Sequence, residues 1–204
     1  MEFLSQIGDL EAIYGAPGES STAKVADYLT PHYRAMLEAS PFCALATSGP
    51  EGLDCTPRGD RPGELVRVQD DKTLLMPDRR GNNRIDSLRN ILRDPRVALM
   101  FLIPGNHNAL RINGSAQITA DPDVLASFAV DGKAPRTVIV IGIEAVYFQC
   151  GRAIVRSELW NPARFVAEGA LPTAGEILAE LSGGRVGGAE YDRAWPERSK
   201  GSLW

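Results

Sequence analysis

The sequence is poor in the residues on which hydrolytic and metal chemistry depend. Only two histidines, His32 and His107, and three cysteines occur among its 204 residues, and neither a GxSxG nor an HExxH motif is present. Cys43, Cys55 and Cys150 form no CxxC pair and no Cys/His cluster. This excludes a disulfide framework and a structural zinc site. We interpret the cysteines as buried free thiols in a reducing cytoplasm.

Long apolar runs and a net positive charge are also absent. No segment approaches the ~18 consecutive apolar residues of a membrane span. The N-terminal segment MEFLSQIGDLEAIYG carries acids but no basic region, so no signal peptide is predicted. With 22 basic and 26 acidic residues the net charge is −4, which disfavours non-specific binding of nucleic acid. We therefore expect a cytoplasmic protein whose partners include neither membranes nor nucleic acids.

The composition is that of an ordinary globular protein, with 44% hydrophobic and 24% charged residues. The length predicts a single domain over residues 1–204. Residues 1–40 form a helical leader in this interpretation, and residues 163–204 form a C-terminal helical segment and tail. Leu4, Ile7, Leu10 and Ile13 recur every three residues, which predicts a short amphipathic helix that packs on another surface.

Between these ends, short apolar segments separated by turn residues predict about six strands in antiparallel order. One is ELVRVQ, where apolar and polar residues alternate; another, LDCTP, is expected to stop at Pro57. NNRIDSLRNILRD predicts a helix capped by Asn82 or Asn83. Because no βαβ alternation with a glycine-rich turn occurs, a Rossmann domain is not predicted. The fold class is mainly β with peripheral helices (α+β), built on a closed or split antiparallel barrel.

The segment LMPDRRGNNRIDSLRN is the first candidate binding element. It places Arg84 in the first turn of the predicted helix, where the helix dipole favours acids over bases. A phosphate between Arg84 and the unpaired N–H groups of the helix start would explain that position. Alternatively, Asp86 or Asp78 pairs with Arg84 or Arg79. The segment alone leaves both interpretations open.

The segment DCTPRGDRPGE is the second candidate element. A strand interrupted by Pro57 and Gly59 leaves backbone groups unpaired and available to a ligand edge. Arg58 and Asp60 flank this irregularity. The alternative is an ordinary loop in which Arg58 and Asp60 pair with each other.

Several runs resemble the pyridoxamine-phosphate-oxidase-like flavoproteins. They are FCALATSGPEGLDCTPRGDRPGELVRV, TLLMPDRRGNNRIDSLRNILRDPRVALMFLIPG and LRINGSAQIT. Within that family the chain is most similar to a branch of FMN-dependent enzymes with PRGD, PDRxGNNR, LRxNGxA and RSxLWxP motifs. CGRAIVRSELWNP matches the last of these, and the resemblance covers about residues 36–162.

The resemblance implies a six-stranded split β-barrel of the FMN-binding type, assembled as a homodimer with FMN in two clefts at the subunit interface. It assigns the FMN phosphate to Arg79, Asn82, Asn83 and Arg84. It assigns the isoalloxazine edge to Thr56, Pro57, Arg58, Gly59 and Asp60, and the ribityl side to Met76, Pro77 and Asp78. Arg156, Ser157 and Trp160 would approach from the far end of the barrel or from the partner subunit.

The function implied by the resemblance is an FMN-dependent oxidoreductase that acts on a small molecule. The Ser-Arg-Lys phosphate motif of the true oxidase is replaced by GNNR, and its C-terminal Arg-x-His motif is absent, which disfavours pyridoxamine phosphate as substrate. Arg58 and Asp60 are the best polar candidates beside the ring, and no catalytic residue is identified. The alternatives are a non-catalytic flavin-binding or redox-sensing module and a deazaflavin-dependent reductase, since fold does not determine function.

Overall fold

One antiparallel sheet organises the chain in the computed structural model, which describes residues 1–203. Its strands are β1 (Phe42–Gly49), β2 (Gly52–Gly59), β3 (Arg67–Val68), β4 (Thr73–Pro77), β5 (Arg96–Leu102), β6 (Ala109–Thr119) and β7 (Val138–Gln149). Their order across the sheet is β2-β1-β5-β6-β7-β4-β3. Because β2 and β3 are edges that do not pair with each other, the sheet is not closed. The prediction of a mainly β antiparallel protein is confirmed, with seven strands instead of six.

Two strands differ from the prediction. Only Arg67 and Val68 of the segment ELVRVQ form a strand, because Leu65 and Val66 are both buried in the core instead of alternating between two faces. β2 continues through Pro57 to Gly59, so the expected stop at Pro57 is wrong. An edge strand tolerates proline because the missing N–H needs no partner on the open side.

Helices precede, separate and follow the strands along the chain. They are α1 (Ile7–Tyr14), α2 (Glu19–Ala23), α3 (Pro31–Glu38), α4 (Asp86–Arg93), α5 (Pro122–Ala126), α6 (Arg152–Arg156), α7 (Ala174–Ser182), α8 (Gly188–Arg193) and α9 (Trp195–Lys200), with a 3-10 turn at Pro162–Arg164. α3 begins as predicted, since the Thr30 side chain accepts a hydrogen bond from the Tyr33 backbone N–H. Among residues 1–203, no helix combines the length and apolar character needed to cross a membrane.

The start of α4 differs from the prediction. The helix begins at Asp86, and no side chain caps it. Asn82 Oδ1 instead accepts from the Arg84 backbone N–H at 2.9 Å, and Asn83 has a left-handed backbone with φ 61°. Both features favour a turn over a helix. The predicted caps at Asn82 and Asn83 are therefore wrong, and Arg84 lies before the helix, not in its first turn.

A polar seam holds α4 against the β1–β2 hairpin. Asn90 Nδ2 donates to Thr47 Oγ1 at 3.1 Å, and both residues are buried. Ser87 Oγ donates to Asp54 Oδ2 at 2.8 Å. Since buried polar groups cost little free energy only when paired, this seam defines one docking position for α4. It thereby places the loop that precedes α4 beside β2.

A β-bulge determines the register between β6 and β7. The pairing shifts between Asn113 and Gly114, so that Glu144 is an extra residue in β7. A Cβ on Gly114 would lie 1.9 Å from the Gly142 carbonyl oxygen, so only glycine fits here. Beyond the bulge, β7 pairs with β4, with Val138 opposite Pro77. The end of β4 and the start of β7 therefore lie side by side, at the cavity described below.

The hydrophobic core contains side chains from β1, β4, β5, β6 and β7 and from α3 and α4, whereas β2 has no buried residue. Its largest fully buried members are Phe101, Leu37, Leu45, Leu74, Met76, Leu99, Leu110, Ile112, Ile139, Ile141, Val138 and Val146. α1 contributes nothing to this core, because none of its residues is buried. The amphipathic leader helix therefore forms as predicted but leaves Ile7 and Ile13 exposed.

The cysteines are free, as expected, but only Cys43 is buried. Burial raises the pKa of its thiol to about 12. Cys55 and Cys150 are exposed, so the expectation of buried thiols is wrong for these two. A hydrogen bond from the Arg152 backbone lowers the pKa of Cys150 below its ordinary value.

Candidate functional site

A cavity of about 790 Å³ lies where the end of β2, the end of β4, the loop before α4 and the start of β7 meet. This volume is in the range of sites for small molecules and cofactors. Its lining consists of Thr56, Pro57, Arg58, Gly59, Asp60, Leu65, Met76, Pro77, Asp78, Arg79, Arg80, Gly81, Asn82, Asn83, Arg84, Ile85, Ser87, Leu88, Ala134, Arg136 and Thr137.

The cavity brings together the two segments that the sequence singled out, 56–60 and 76–84. All the site residues predicted within those segments line it. The other three lie elsewhere in the chain, at the end of α6 and just after it. Ser157 Oγ donates to the Ile154 carbonyl, and Trp160 Nε1 donates to the Asn106 carbonyl at 2.7 Å. Arg156, Ser157 and Trp160 therefore do not line this cavity within one chain.

Two crossed ion pairs join the end of β2 to the loop after β4. Arg58 Nη1 lies 2.5 Å from Asp78 Oδ1, and Arg79 Nε lies 2.9 Å from Asp60 Oδ2. Each of the four side chains is between 17% and 22% exposed. The alternative pairing of Arg58 with Asp60 is therefore wrong, because each of them pairs with a residue that follows β4.

Arg79 and Arg84, in the loop before α4, differ in their hydrogen-bond partners and in their exposure. Arg79 Nη1 also donates to the Phe128 carbonyl at 2.8 Å, so its guanidinium is bound on two sides. Arg84 lies 2.5 Å from Asp86, as one alternative predicted, and its side chain is 79% exposed. The hydrogen bond that the Arg84 guanidinium donates to the Asp86 carboxylate raises the pKa of Arg84.

Two polar atoms of the cavity wall are buried without a hydrogen-bond partner among the described residues. They are Arg58 Nε and Thr137 Oγ1. Most buried polar atoms are paired, so each such exception calls for a physical explanation. Both residues line the cavity. Neither atom has a partner within the described protein, so a ligand group that reached either one would remove the cost of leaving it unpaired.

The sequence did not indicate the contribution of β7. Arg136 and Thr137 line the cavity, and Arg136 Nη1 donates to Asn83 Oδ1 at 3.0 Å. The only local signal is an Arg-Thr pair directly before a strand. Its meaning depends on β7 lying beside β4, which the sequence does not state. Within residues 1–203, no cluster of histidine, cysteine and acidic residues could hold a metal ion.

Solved structures with partial similarity include HupZ from Group A Streptococcus, at 19% identity and a TM-score of 0.48 over 59% of this chain and 94% of that one. A protein related to general stress protein 26, of the pyridoxinephosphate oxidase family, from Clostridium acetobutylicum has 14% identity and a TM-score of 0.45 over 58% and 86%. A NimC/NimA family protein from the same organism has 15% identity and a TM-score of 0.40 over 59% and 95%.

No curated protein matches this sequence. The family model described as pyridoxamine 5'-phosphate oxidase matches residues 29–150, which is more than half of the chain. The match includes the whole sheet and both cavity segments. The chain therefore belongs to the pyridoxamine 5'-phosphate oxidase family.

Proposed function

We propose that the cavity binds FMN and that the protein is an FMN-dependent oxidoreductase acting on a small molecule. The observation that carries the proposal is the pair of buried, unpartnered polar atoms, Arg58 Nε and Thr137 Oγ1, in the wall of a cavity lined by five arginines. FMN has a phosphate for the arginines and a ring edge with acceptor atoms for a buried donor. The residues present therefore fit the cofactor.

The loop before α4 would hold the phosphate, through Arg79, Asn82, Asn83 and Arg84. β2 would follow the ring edge from Thr56 to Asp60, and Met76, Pro77 and Asp78 would line the ribityl side. When bound, FMN supplies hydride or electron transfer, and the protein supplies orientation and electrostatics. Asp78 binds the Arg58 guanidinium through Nη1, so Nε has no partner within the described protein and would be the donor to the ligand.

A phosphate test distinguishes FMN from general flavin binding. Arg84→Ala should weaken FMN binding by about tenfold, near the lower end for a charge-assisted hydrogen bond, because Asp86 already shares the guanidinium. Riboflavin, which lacks the phosphate, should bind the wild type and the variant equally. Fluorescence titration with both flavins measures this. Equal losses for both ligands, or none for either, would show that Arg84 is only an ion-pair partner on the surface.

Two measurements distinguish FMN-dependent catalysis from the alternative functions: the absorption spectrum of the purified protein and its turnover with electron acceptors. Bound FMN gives yellow absorption that bleaches on reduction, whereas a deazaflavin absorbs further to the blue. A non-catalytic module would bind FMN, but none of a panel of electron acceptors would reoxidise its reduced flavin. Mass spectrometry of the molecule that copurifies would identify the cofactor directly. The cytoplasmic location stays a prediction.

A homodimer is part of the proposal, since one face of the sheet carries small and apolar side chains that are only partly buried in one chain. In β1 the buried positions alternate with Ala44 and Ala46, which pair in register with Met100 and Ala98 of β5. Met100 is 42% exposed. Asn113, opposite Ala98 in β6, has a buried Oδ1 without a partner among the described residues. Obligate interfaces resemble a divided core and bury upward of about 2,000 Å².

Ala46→Arg should convert the dimer into monomers, because it places an unpaired charge in the middle of this face. Light scattering at micromolar concentration measures the mass. Glu180→Arg, on the exposed part of α7, is the control and should remain dimeric. A stable folded monomer of the wild-type protein would contradict the dimer. In the dimer, Arg156, Ser157 and Trp160 would reach the cavity of the partner.

A further inference from the structure

We infer that Arg136 and Thr137 form an oxyanion-binding subsite on the β7 side of the cavity, for a phosphate or carboxylate group of the ligand. The inference rests on the proposed function in treating the cavity as a ligand site. It adds a binding element that neither the sequence motifs nor the family match assigns. The oxyanion has two sources, the phosphate of FMN itself or an acidic group of the substrate.

The arginines of the cavity fall into two groups according to their partners. Arg58, Arg79 and Arg84 each pair with a carboxylate. Arg80 and Arg136 have only neutral partners among the described residues, namely the Gly201 carbonyl at 3.3 Å and the Asn83 side-chain amide oxygen at 3.0 Å. A neutral acceptor orients a guanidinium without cancelling its charge. The cations available to a ligand anion are therefore in the second group.

Thr137 distinguishes Arg136 from Arg80. The hydroxyl of this neighbouring residue is one of the two buried, unpartnered polar atoms of the cavity wall. The backbone of Thr137 is anchored to the other side of the cavity wall, because its carbonyl accepts from the Asp78 backbone N–H at 2.9 Å. Arg136 and Thr137 both line the cavity, and a hydroxyl and a guanidinium can donate to the same oxyanion. No comparable polar atom without a partner occurs next to Arg80 among the described residues.

Asn83 holds the Arg136 guanidinium against the loop before α4. Its backbone has φ 61°, a conformation that asparagine tolerates better than most residues. Its side-chain oxygen accepts from Arg136. This contact brings the β7 subsite next to the loop residues to which the phosphate is assigned. One oxyanion could therefore contact both elements.

The charges around the cavity agree with a single phosphate. Five arginines line it, and the carboxylates that pair with them are Asp60, Asp78 and Asp86. Two positive charges remain in excess. A phosphate monoester at pH 7 carries about −1.5 to −2, which balances them. Since Arg84 already has its carboxylate, Arg136 should contribute more to phosphate affinity than Arg84 does.

The test compares Arg136→Ala with wild type, with Arg84→Ala, and with Arg34→Ala as a control. Arg34 is an exposed arginine of α3 that pairs with Glu38 and does not line the cavity. If the oxyanion is the FMN phosphate, Arg136→Ala should weaken FMN by up to about a hundredfold, more than Arg84→Ala, and leave riboflavin unchanged. Arg34→Ala should change neither ligand.

If the oxyanion belongs to the substrate, FMN affinity should be unchanged in Arg136→Ala. The FMN-loaded variant should then lose the binding of inorganic phosphate and acetate that the FMN-loaded wild type shows. Full retention of both FMN and anion binding in the variant would overturn the subsite. Should the wild type bind no flavin while inorganic phosphate raises its melting temperature in an Arg136-dependent way, the flavin proposal fails and the subsite stands.

Thr137→Val separates a binding role from a structural one. Valine has nearly the same shape, and the hydroxyl that it removes makes no hydrogen bond within the described protein. The urea midpoint of the ligand-free variant should therefore be unchanged or higher. If the oxyanion is the FMN phosphate, affinity for FMN should fall about threefold to tenfold; if it belongs to the substrate, affinity for inorganic phosphate should fall by that factor. A lower midpoint with unchanged ligand affinity would show that Thr137 only supports the fold.

Discussion

Asp78→Ala is expected to lower the free energy of unfolding by about 2–3 kcal/mol, somewhat below the range for a fully buried ion pair. The Arg58 side chain is only 17% exposed, and Nε already has no partner among the described residues. Removing Asp78 would leave the whole guanidinium without a counter-charge in a poorly solvated position. Urea unfolding followed by tryptophan fluorescence measures the change.

The matched control is Asp27→Ala. Asp27 pairs with Lys72 at 2.8 Å, but the two side chains are 70% and 54% exposed. Exposed pairs contribute little, so this variant should lose no more than about 0.5 kcal/mol. Losses of similar size at Asp78 and Asp27 would mean that burial around the cavity does not strengthen the crossed ion pairs.

A double variant tests whether the unpaired charge causes the loss. Arg58→Leu removes the guanidinium, so Asp78→Ala combined with Arg58→Leu should recover much of the stability. FMN binding should not recover, because the Nε donor is then gone. Recovery of both properties would contradict the assignment of Arg58 to the ligand.

Gly114→Ala is expected to destabilise the protein by about 3 kcal/mol or to prevent folding, at the upper end of overpacking effects. The new Cβ would lie 1.9 Å from the Gly142 carbonyl oxygen, an atom of the β7 backbone that cannot rotate away. The strands must separate at the bulge or shift register. A shift by one residue would turn each affected β7 side chain to the opposite face of the sheet.

Gly142→Ala is the control for the same bulge. A Cβ on Gly142 would have its nearest contacts at 3.7 Å, from Ser115, which is ordinary van der Waals distance. We expect the free energy of unfolding to change by no more than about 1 kcal/mol, the usual effect of exchanging glycine for alanine where alanine can adopt the backbone conformation without strain. Circular dichroism melts measure both variants. Equal effects at Gly114 and Gly142 would show that the bulge does not depend on the close approach at Gly114.

The sequence by itself determined most of the local elements and two walls of the cavity. Strand alternation is visible in short segments because side-chain direction repeats every two residues. Thr30 followed by Pro31 indicated the start of α3, because capping depends on residues only three positions apart. The segments 56–60 and 76–84 were recognisable from motifs and from proline and glycine in the chain. That they line the same cavity was implied only by the family resemblance.

The tertiary structure alone decided which residues face each other. Arg58 and Asp60 are two positions apart in sequence, yet each pairs with a residue of the loop after β4, because the sheet brings the two segments together. Arg136 and Thr137 enter the cavity because β7 pairs with β4, some 60 residues away in the chain. Such contacts depend on strand order and register, which are chosen by the packing of the whole core. Local periodicity carries no information about them.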